Sequence, residues 1–278
     1  MIKLAVIFTC YNRKDKTEKC INGLLSQKCK YDILYDYYIC DDRSTDGTPE
    51  MIRSVLPDSH VIISEGNLFW CKGMYTAMSE AVKEEHDFYL MINDDMLFYD
   101  SAVETALDSY YSHACACGMV GCTKSMDEAE ITYGGRRYVN HKNIGKTVLV
   151  DPSAEDKHCD VANWNFFLVP NEVIKGVGLI DNYYAHSTGD FDYCIQMRKA
   201  GYPIFVSSGF VGKTDRNSRA NTSGDVSLKK SVRLKKYFSV KEHPPKSDFH
   251  FFVKNYGFPG FFYYIFLTGK GIAKILFS

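Results

Sequence analysis

The chain has 278 residues, 45% of them hydrophobic and 24% charged, with a formal net charge of −1; this is ordinary globular make-up, one large domain or one domain with an appendage. The near-neutral total hides an asymmetry, because residues 226–278 carry ten Lys and Arg against Glu242 and Asp248, which leaves 23 bases and 32 acids in the first 225. An acidic body with a basic but strongly apolar tail excludes nucleic acid as a partner.

Residues 4–9 read as a buried strand that breaks at Cys10-Tyr11-Asn12-Arg13, after which Thr17, Cys20, Ile21, Leu24 and Leu25 recur at helical spacing. A second strand over 35–40 ends in the polar turn 41–49, where Asp46 or Thr48 caps a helix opened by Pro49. Val61-Ile62-Ile63 is a third strand, 66–73 a loop and 74–84 a helix, and 88–93 is the fourth strand. This β-α-β-α-β-α-β order predicts an α/β fold, a mostly parallel sheet with helices on both faces. No Gly-x-Gly-x-x-Gly follows the first strand and no Gly-x-x-x-x-Gly-Lys-Ser/Thr occurs anywhere, which argues against a dinucleotide fold and a P-loop. A helix over 101–111, a strand near 118–122 and a hairpin over 131–150 follow. After 160–169 a helix starts at Pro170-Asn171-Glu172; the loop 183–190 then leads into a helix over 191–200 closed by Gly201. Residues 202–207 are a strand, and 213–224 read as a mobile polar loop beside the site.

The fourth strand is the informative stretch. Phe88-Tyr89-Leu90-Met91-Ile92 is continuously apolar, as in a strand buried on both faces, and it ends in Asn93-Asp94-Asp95. Unpaired buried carboxylates are costly, so this pair belongs where the strand emerges at the carboxyl edge of the sheet, the ligand-binding edge of open α/β sheets. Two hard oxygen donors there suit Mg²⁺ or Mn²⁺ together with a phosphate; the plainer reading is a strand-end turn that caps the next helix.

Ten cysteines without regular spacing are not a disulfide framework and imply reduced thiols in a cytosolic compartment; Cys115, Cys117 and Cys122 lack paired zinc spacing. The first residues run straight into a strand without a signal-peptide pattern, and Asn221-Thr222-Ser223 matches a glycosylation acceptor that is common by chance. In the tail ten Phe and Tyr between 249 and 266 are flanked by lysines, with no unbroken apolar run near the ~20 residues of a spanning helix. Residues 226–278 are thus a helical extension that either lies peripherally on an anionic membrane or caps the domain of residues 1–225.

Four motifs in order resemble family 2 glycosyltransferases of the GT-A fold, over roughly residues 3–210: Thr9-Cys10-Tyr11-Asn12-Arg13, Asp41-Asp42-Arg43-Ser44-Thr45-Asp46-Gly47-Thr48, Asn93-Asp94-Asp95, and Gly189-Asp190-Phe191-Asp192 leading to Arg198-Lys199-Ala200-Gly201-Tyr202. The resemblance, closest in type to bacterial rhamnosyl or galactosyl transferases of surface polysaccharide synthesis, implies an inverting transfer from a UDP- or dTDP-sugar to a glycan or lipid-linked glycan at the inner face of the cell membrane. It implies Asp190 as catalytic base and Asp95 as the ligand of Mg²⁺ or Mn²⁺ on the departing diphosphate. Thr9, Tyr11, Asn12, Arg13, Asp42 and Asp94 would form the nucleotide site, Asp42 reading the base N–H. Lys72, Trp164, Asn165 and His186 are expected near sugar, diphosphate or acceptor. Two positions depart from the family pattern, Gly189 for the usual acid and Gln196 for the usual Arg, and no downstream His completes a metal site near Gly212-Lys213. A haloacid-type phosphatase and a sugar nucleotidyltransferase are excluded by the end of the first strand. A non-catalytic sugar-nucleotide or glycan binder is the alternative from another class.

Overall fold

The computed structural model describes residues 1–140, 143–155 and 157–278. In chain order it runs β1 (Ile2–Cys10), α1 (Lys14–Leu25), β2 (Ile33–Asp41), α2 (Thr48–Val55), β3 (His60–Ile63), α3 (Phe69–Ala81), β4 (Phe88–Ile92), β5 (Leu97–Phe98), α4 (Ala102–Tyr111), β6 (Gly118–Lys124), β7 (Ile131–Tyr133), β8 (Gly135–Asn140), β9 (Asn143–Leu149) and β10 (Val161–Ala162). There follow β11 (Phe166–Pro170), α5 (Asn171–Val177), α6 (Gly189–Lys199), β12 (Ile204–Lys213), α7 (Lys230–Tyr237) and α8 (Pro245–Phe277).

One sheet has the order β3-β2-β1-β4-β11-β6-β12-β5, with β7 beside β6. β3, β2, β1 and β4 are mutually parallel, as are β6 and β12, while β11 runs antiparallel between β4 and β6. The mostly parallel α/β sheet expected from the sequence is therefore present, with β11 and the short strands β5 and β7 reversed. A smaller sheet, β10-β8-β9, covers one end. It contains the expected hairpin strands β8 and β9; residues 141 and 142 lie outside the described residues.

Alternation along β1 divides the core. Ala5 and Ile7 join Met74, Met78 and Met91 on one face, while Leu4, Val6 and Phe8 join Ile21, Leu24 and Ile52 on the other. The N-cap of α2 is Gly47 rather than the expected Asp46 or Thr48, although Asp46 Oδ1 reaches past it to accept from Thr48 N at 3.1 Å. The loop expected over 66–73 is shorter than that, since α3 already begins at Phe69. Gly73 makes this possible: a Cβ there would sit 2.3 Å from Thr9 Oγ1, so only glycine lets the helix rest on the end of β1.

The tail is helical, as expected, but α8 is not one rod. Gly257 leaves helical geometry (φ 60°, ψ −141°) just before Pro259, and the Phe249 and Tyr264 rings, fifteen residues apart, meet at 5.5 Å. A straight helix would separate them by about 22 Å, so 258–277 folds back along 245–256. By length and composition α8 as a whole is long and apolar enough to cross a membrane, more than the broken apolar runs of the sequence suggested.

Candidate active site

β1, β2 and β4 all end at one edge of the sheet, and the turns after them build the site. The β1 and β2 turns are bound to each other: Asn12 N donates to Ser44 Oγ and Thr45 N to Asn12 Oδ1, both at 2.8 Å, and Lys14 N donates to Asp46 Oδ2 at 3.0 Å. Asp41, fully buried, accepts from Ser44 N at 2.7 Å. The second motif is thus largely turn chemistry that fixes where Asp42 and Arg43 stand.

Two adjoining recesses of about 430 and 350 Å³ open at this edge, sharing Arg13, Trp70, Asp94, His186 and Lys241. The first is lined also by Thr9, Tyr11 and Asp42, the second by Asp95, Asn165 and Asp190. Ten of the expected site residues therefore come together at one cleft: Thr9, Tyr11, Arg13, Asp42, Asp94, Asp95, Trp164, Asn165, His186 and Asp190. Backbone strain gathers there too, with Asn12 (φ 49°), Arg43 (φ 65°), Phe69 (φ 58°) and Thr188 (φ 70°) held left-handed, a pattern typical of functional sites.

Arg13 Nη1 bridges the acidic pair, 3.0 Å from Asp94 Oδ1 and 3.2 Å from Asp95 Oδ2. Asp94 is only 4% exposed and also accepts from Thr17 Oγ1 at 3.3 Å. Burial pushes its carboxyl up to about 6, against the pull of Arg13. Asp95 is more open, and its Oδ1 has no hydrogen bond among the described residues. A free carboxylate oxygen beside a second carboxylate fits Mg²⁺ or Mn²⁺ held jointly with diphosphate oxygens and water. The described residues offer no cluster of three His, Cys, Asp or Glu, so the protein alone does not complete such a sphere.

Asp190 opens α6 on the wall of the second recess. Burial raises its carboxyl to about 6, opposed by the N–H of Phe191 (2.9 Å to Oδ1) and the amide of Asn163 (3.5 Å to Oδ2). His186 lies between the recesses; burial, then Lys241 and Arg13, lower its pKa, so it is neutral near pH 7, and its Nδ1 has no partner among the described residues.

Four expectations need correction. Asp42 is already engaged, with Oδ1 accepting from Ser64 Oγ (2.7 Å) and Leu68 N (3.0 Å) and Oδ2 from Phe69 N (3.0 Å). It caps α3, and about one of a carboxylate's four acceptor positions remains for a ligand. Asn12 is occupied by the turn described above and lines neither recess. Lys72 lines neither recess as well: α3 rests Gly73 on Thr9, which turns Lys72 toward a separate hollow with Tyr75 and Lys246. Trp164, in the turn between β10 and β11, is 1% exposed and packs on Phe167, Tyr193 and Trp70, so it floors the cleft rather than reaching into it.

The sequence reading missed Asn163, Tyr133, Thr214, Asp215 and Lys241, all on the second recess. Asn163 flanks the Trp that was singled out, which is a signal of sorts. Lys241 had none, since it reaches the cleft only because the tail returns to it.

Strand-end carboxylates and a half-buried carboxylate from a separate helix, lining one recess at the edge of this sheet, fit a glycosyltransferase with the GT-A fold. The sequence profile of glycosyl transferase family 2 matches residues 5–160, and the chain belongs to that family. No curated protein sequence matches the chain. Among solved structures, the mannosyltransferase PcManGT from Pyrobaculum calidifontis, in complex with GDP-Man and Mn²⁺, aligns over 99% of this chain and 77% of its own at 14% identity and a TM-score of 0.56. S. aureus TarS 1–349 in complex with UDP aligns over 92% and 74% at 16% identity and a TM-score of 0.54. At such identities the likeness is one of fold.

Proposed function

We propose that the protein is an inverting transferase that moves a hexosyl group from a UDP- or dTDP-sugar to a hydroxyl of a lipid-linked glycan, in surface polysaccharide synthesis at the cytoplasmic face of a bacterial membrane. The observation that carries the reading is Asp190 on the same recess as Asp95 and Arg13. Raised to about 6, Asp190 is ionised at neutral pH and is a stronger base than an ordinary carboxylate. It takes the proton of the acceptor hydroxyl as that oxygen bonds to the anomeric carbon from the face opposite the leaving group. The bond from that carbon to the diphosphate oxygen breaks with its electron pair, releasing the nucleoside diphosphate. Thr9 and Tyr11 hold the nucleotide, Asp42 having only its one remaining acceptor position to offer it, while Arg13 and Lys241 face the diphosphate charge and neutral His186 offers Nδ1 to a sugar or acceptor hydroxyl. Mg²⁺ or Mn²⁺ at Asp95 and Asp94, when bound, supplies Lewis-acid stabilisation of the departing diphosphate. The basic, aromatic segment 226–278 supports contact with an anionic membrane surface.

Diphosphate release from a panel of UDP-, dTDP- and GDP-sugars, with Mn²⁺ or EDTA and with a glycan acceptor, tests the reading. One donor should turn over in an acceptor-dependent way. Asp190→Asn should lower kcat by about 10²–10⁴ while donor binding persists. Unchanged turnover in that variant would remove Asp190 from the chemistry.

A further inference from the structure

The second half of α8 has two unlike sides. Phe258, Phe262 and Phe266, at i, i+4, i+8, form one exposed stripe (78, 55 and 67% exposed). On the opposite side Leu267, Gly271 and Ile275 wall a cavity of about 770 Å³, shared with α7 and the 219–226 loop. Its polar lining includes Arg219, Arg233, Lys270 and Lys274 against a single acid, Asp248, whose Oδ2 already meets His243 Nδ1 at 3.1 Å. Thr188, two residues before Asp190, is part of the same wall.

Arg233 decides what the cavity lacks. It is 3% exposed, donating from Nε to Ser223 O at 2.8 Å and from Nη2 to Ser278 Oγ at 2.9 Å, and it has no ion-pair partner among the described residues. Asp225 feels this charge at a distance, but no carboxylate among the described residues touches it; a buried guanidinium without a contacting counter-charge is costly, and its planar donor fork suits phosphate oxygens. Beside it Phe251 (7% exposed) and Ile275 (3%) present an apolar surface.

We infer that this cavity seats the phosphate head of the membrane-anchored acceptor lipid, Arg233, Lys270 and Lys274 facing the phosphate and Phe251, Leu267 and Ile275 the first carbons of the chain. The inference rests on the proposed reaction at a lipid-linked acceptor and deepens it by assigning the anchor a place. The aromatic stripe then lies on the bilayer while the opposite side of the same helix draws the head group toward Thr188 and the cleft.

The test is calorimetric titration of the full chain with dodecyl phosphate below its micelle concentration, dodecyl glucoside and inorganic phosphate. Dodecyl phosphate should bind at least tenfold more tightly than either control. Lys270→Glu/Lys274→Glu, two exposed positions on α8, should weaken it at least tenfold and leave donor hydrolysis by water unchanged; a folded Arg233→Gln should behave alike. Equal binding of dodecyl glucoside, equal binding of inorganic phosphate, or an unaffected charge-reversed variant would each overturn the assignment. No binding of dodecyl phosphate by the wild-type chain, with its diphosphate release intact, overturns the cavity alone. Intact, variant-sensitive binding in a protein that releases diphosphate from no nucleotide sugar overturns the transferase reading instead.

Discussion

Asp190 is held where its charge is useful and its ionisation is costly. Between about pH 4, the usual carboxylate range, and pH 6 the folded chain keeps a proton that the unfolded chain has released. Stability therefore falls as pH rises through that window and levels off above it. Asp190→Asn removes this slope, so the variant should be more stable than the wild type at pH 7, on the order of 2 kcal/mol, and less pH-dependent between 4 and 6. Urea melts at pH 4.5 and pH 7 check this, and an unchanged slope would mean that the carboxylate ionises as freely as in water. Arg13→Met tests the other wall. It leaves Asp94 and Asp95 facing each other without a cation, and because Arg13 is itself 44% exposed the loss should be about 1–2 kcal/mol rather than that of a fully buried pair. Mn²⁺ should raise the melting temperature of this variant more than that of the wild type, as seen by calorimetry against EDTA; equal response would place the cation elsewhere. Asp94 and Asp95 were legible because carboxylates at the end of an apolar run demand an explanation, whereas Asp190, which follows a polar loop, was legible only through the resemblance of residues 189–202 to a family motif. The engagement of Asp42 was not legible, because two of its three partners are backbone N–H groups of residues 68 and 69, which no side-chain pattern announces, and the third, Ser64, is brought to it only by the pairing of β2 with β3.

At the scale of elements, the glycine that departs from the family motif has a packing reason. A Cβ on Gly189 would lie 2.4 Å from Cys71 Sγ and 3.2 Å from Ile180 Cδ1, so the first turn of α6 sits directly on α3. Gly189→Ala should push that turn, and Asp190 with it, out of place and lower kcat/KM about 10–100-fold, the scale expected of a displacement near 1 Å. Cys71→Ala removes the obstructing sulfur; it should be nearly silent alone and restore most of the loss in the double variant. A double-mutant cycle on kcat/KM measures the coupling, and additive effects would show that the two helices do not meet there. The strands and most helices were readable from periodicity, yet three features of their arrangement were not. An apolar run such as Phe166–Val169 looks the same whether its strand is parallel or reversed. The start of α3 rests on a left-handed Phe69 held by Asp42, and the fold-back of α8 rests on ring contacts fifteen residues apart.

For the whole molecule, the change of composition near residue 225 does not mark an independent appendage. Lys254 Nζ reaches Asp181 Oδ2 and Asp192 Oδ2, both at 2.7 Å, His250 adds a contact to Asp181 at 3.1 Å, and Asn255 Nδ2 donates to Asp192 Oδ1 at 2.6 Å. Ser187 Oγ donates to Glu242 O at 3.1 Å, and Lys241 lines both recesses. These bonds clamp the loop 181–188 and the start of α6, so the tail positions Asp190 whatever else it touches. Asp192 is 1% exposed; removing its cation strands a buried charge, which typically costs about 3–5 kcal/mol, while removing both charges costs much less. Lys254→Met should therefore lower stability and transfer to a soluble acceptor in detergent, and Asp192→Asn in the same chain should recover much of both. Were the tail a membrane tether only, truncation after residue 225 would leave transfer to a soluble acceptor intact. With the contacts above, that truncation abolishes it even where no membrane is present.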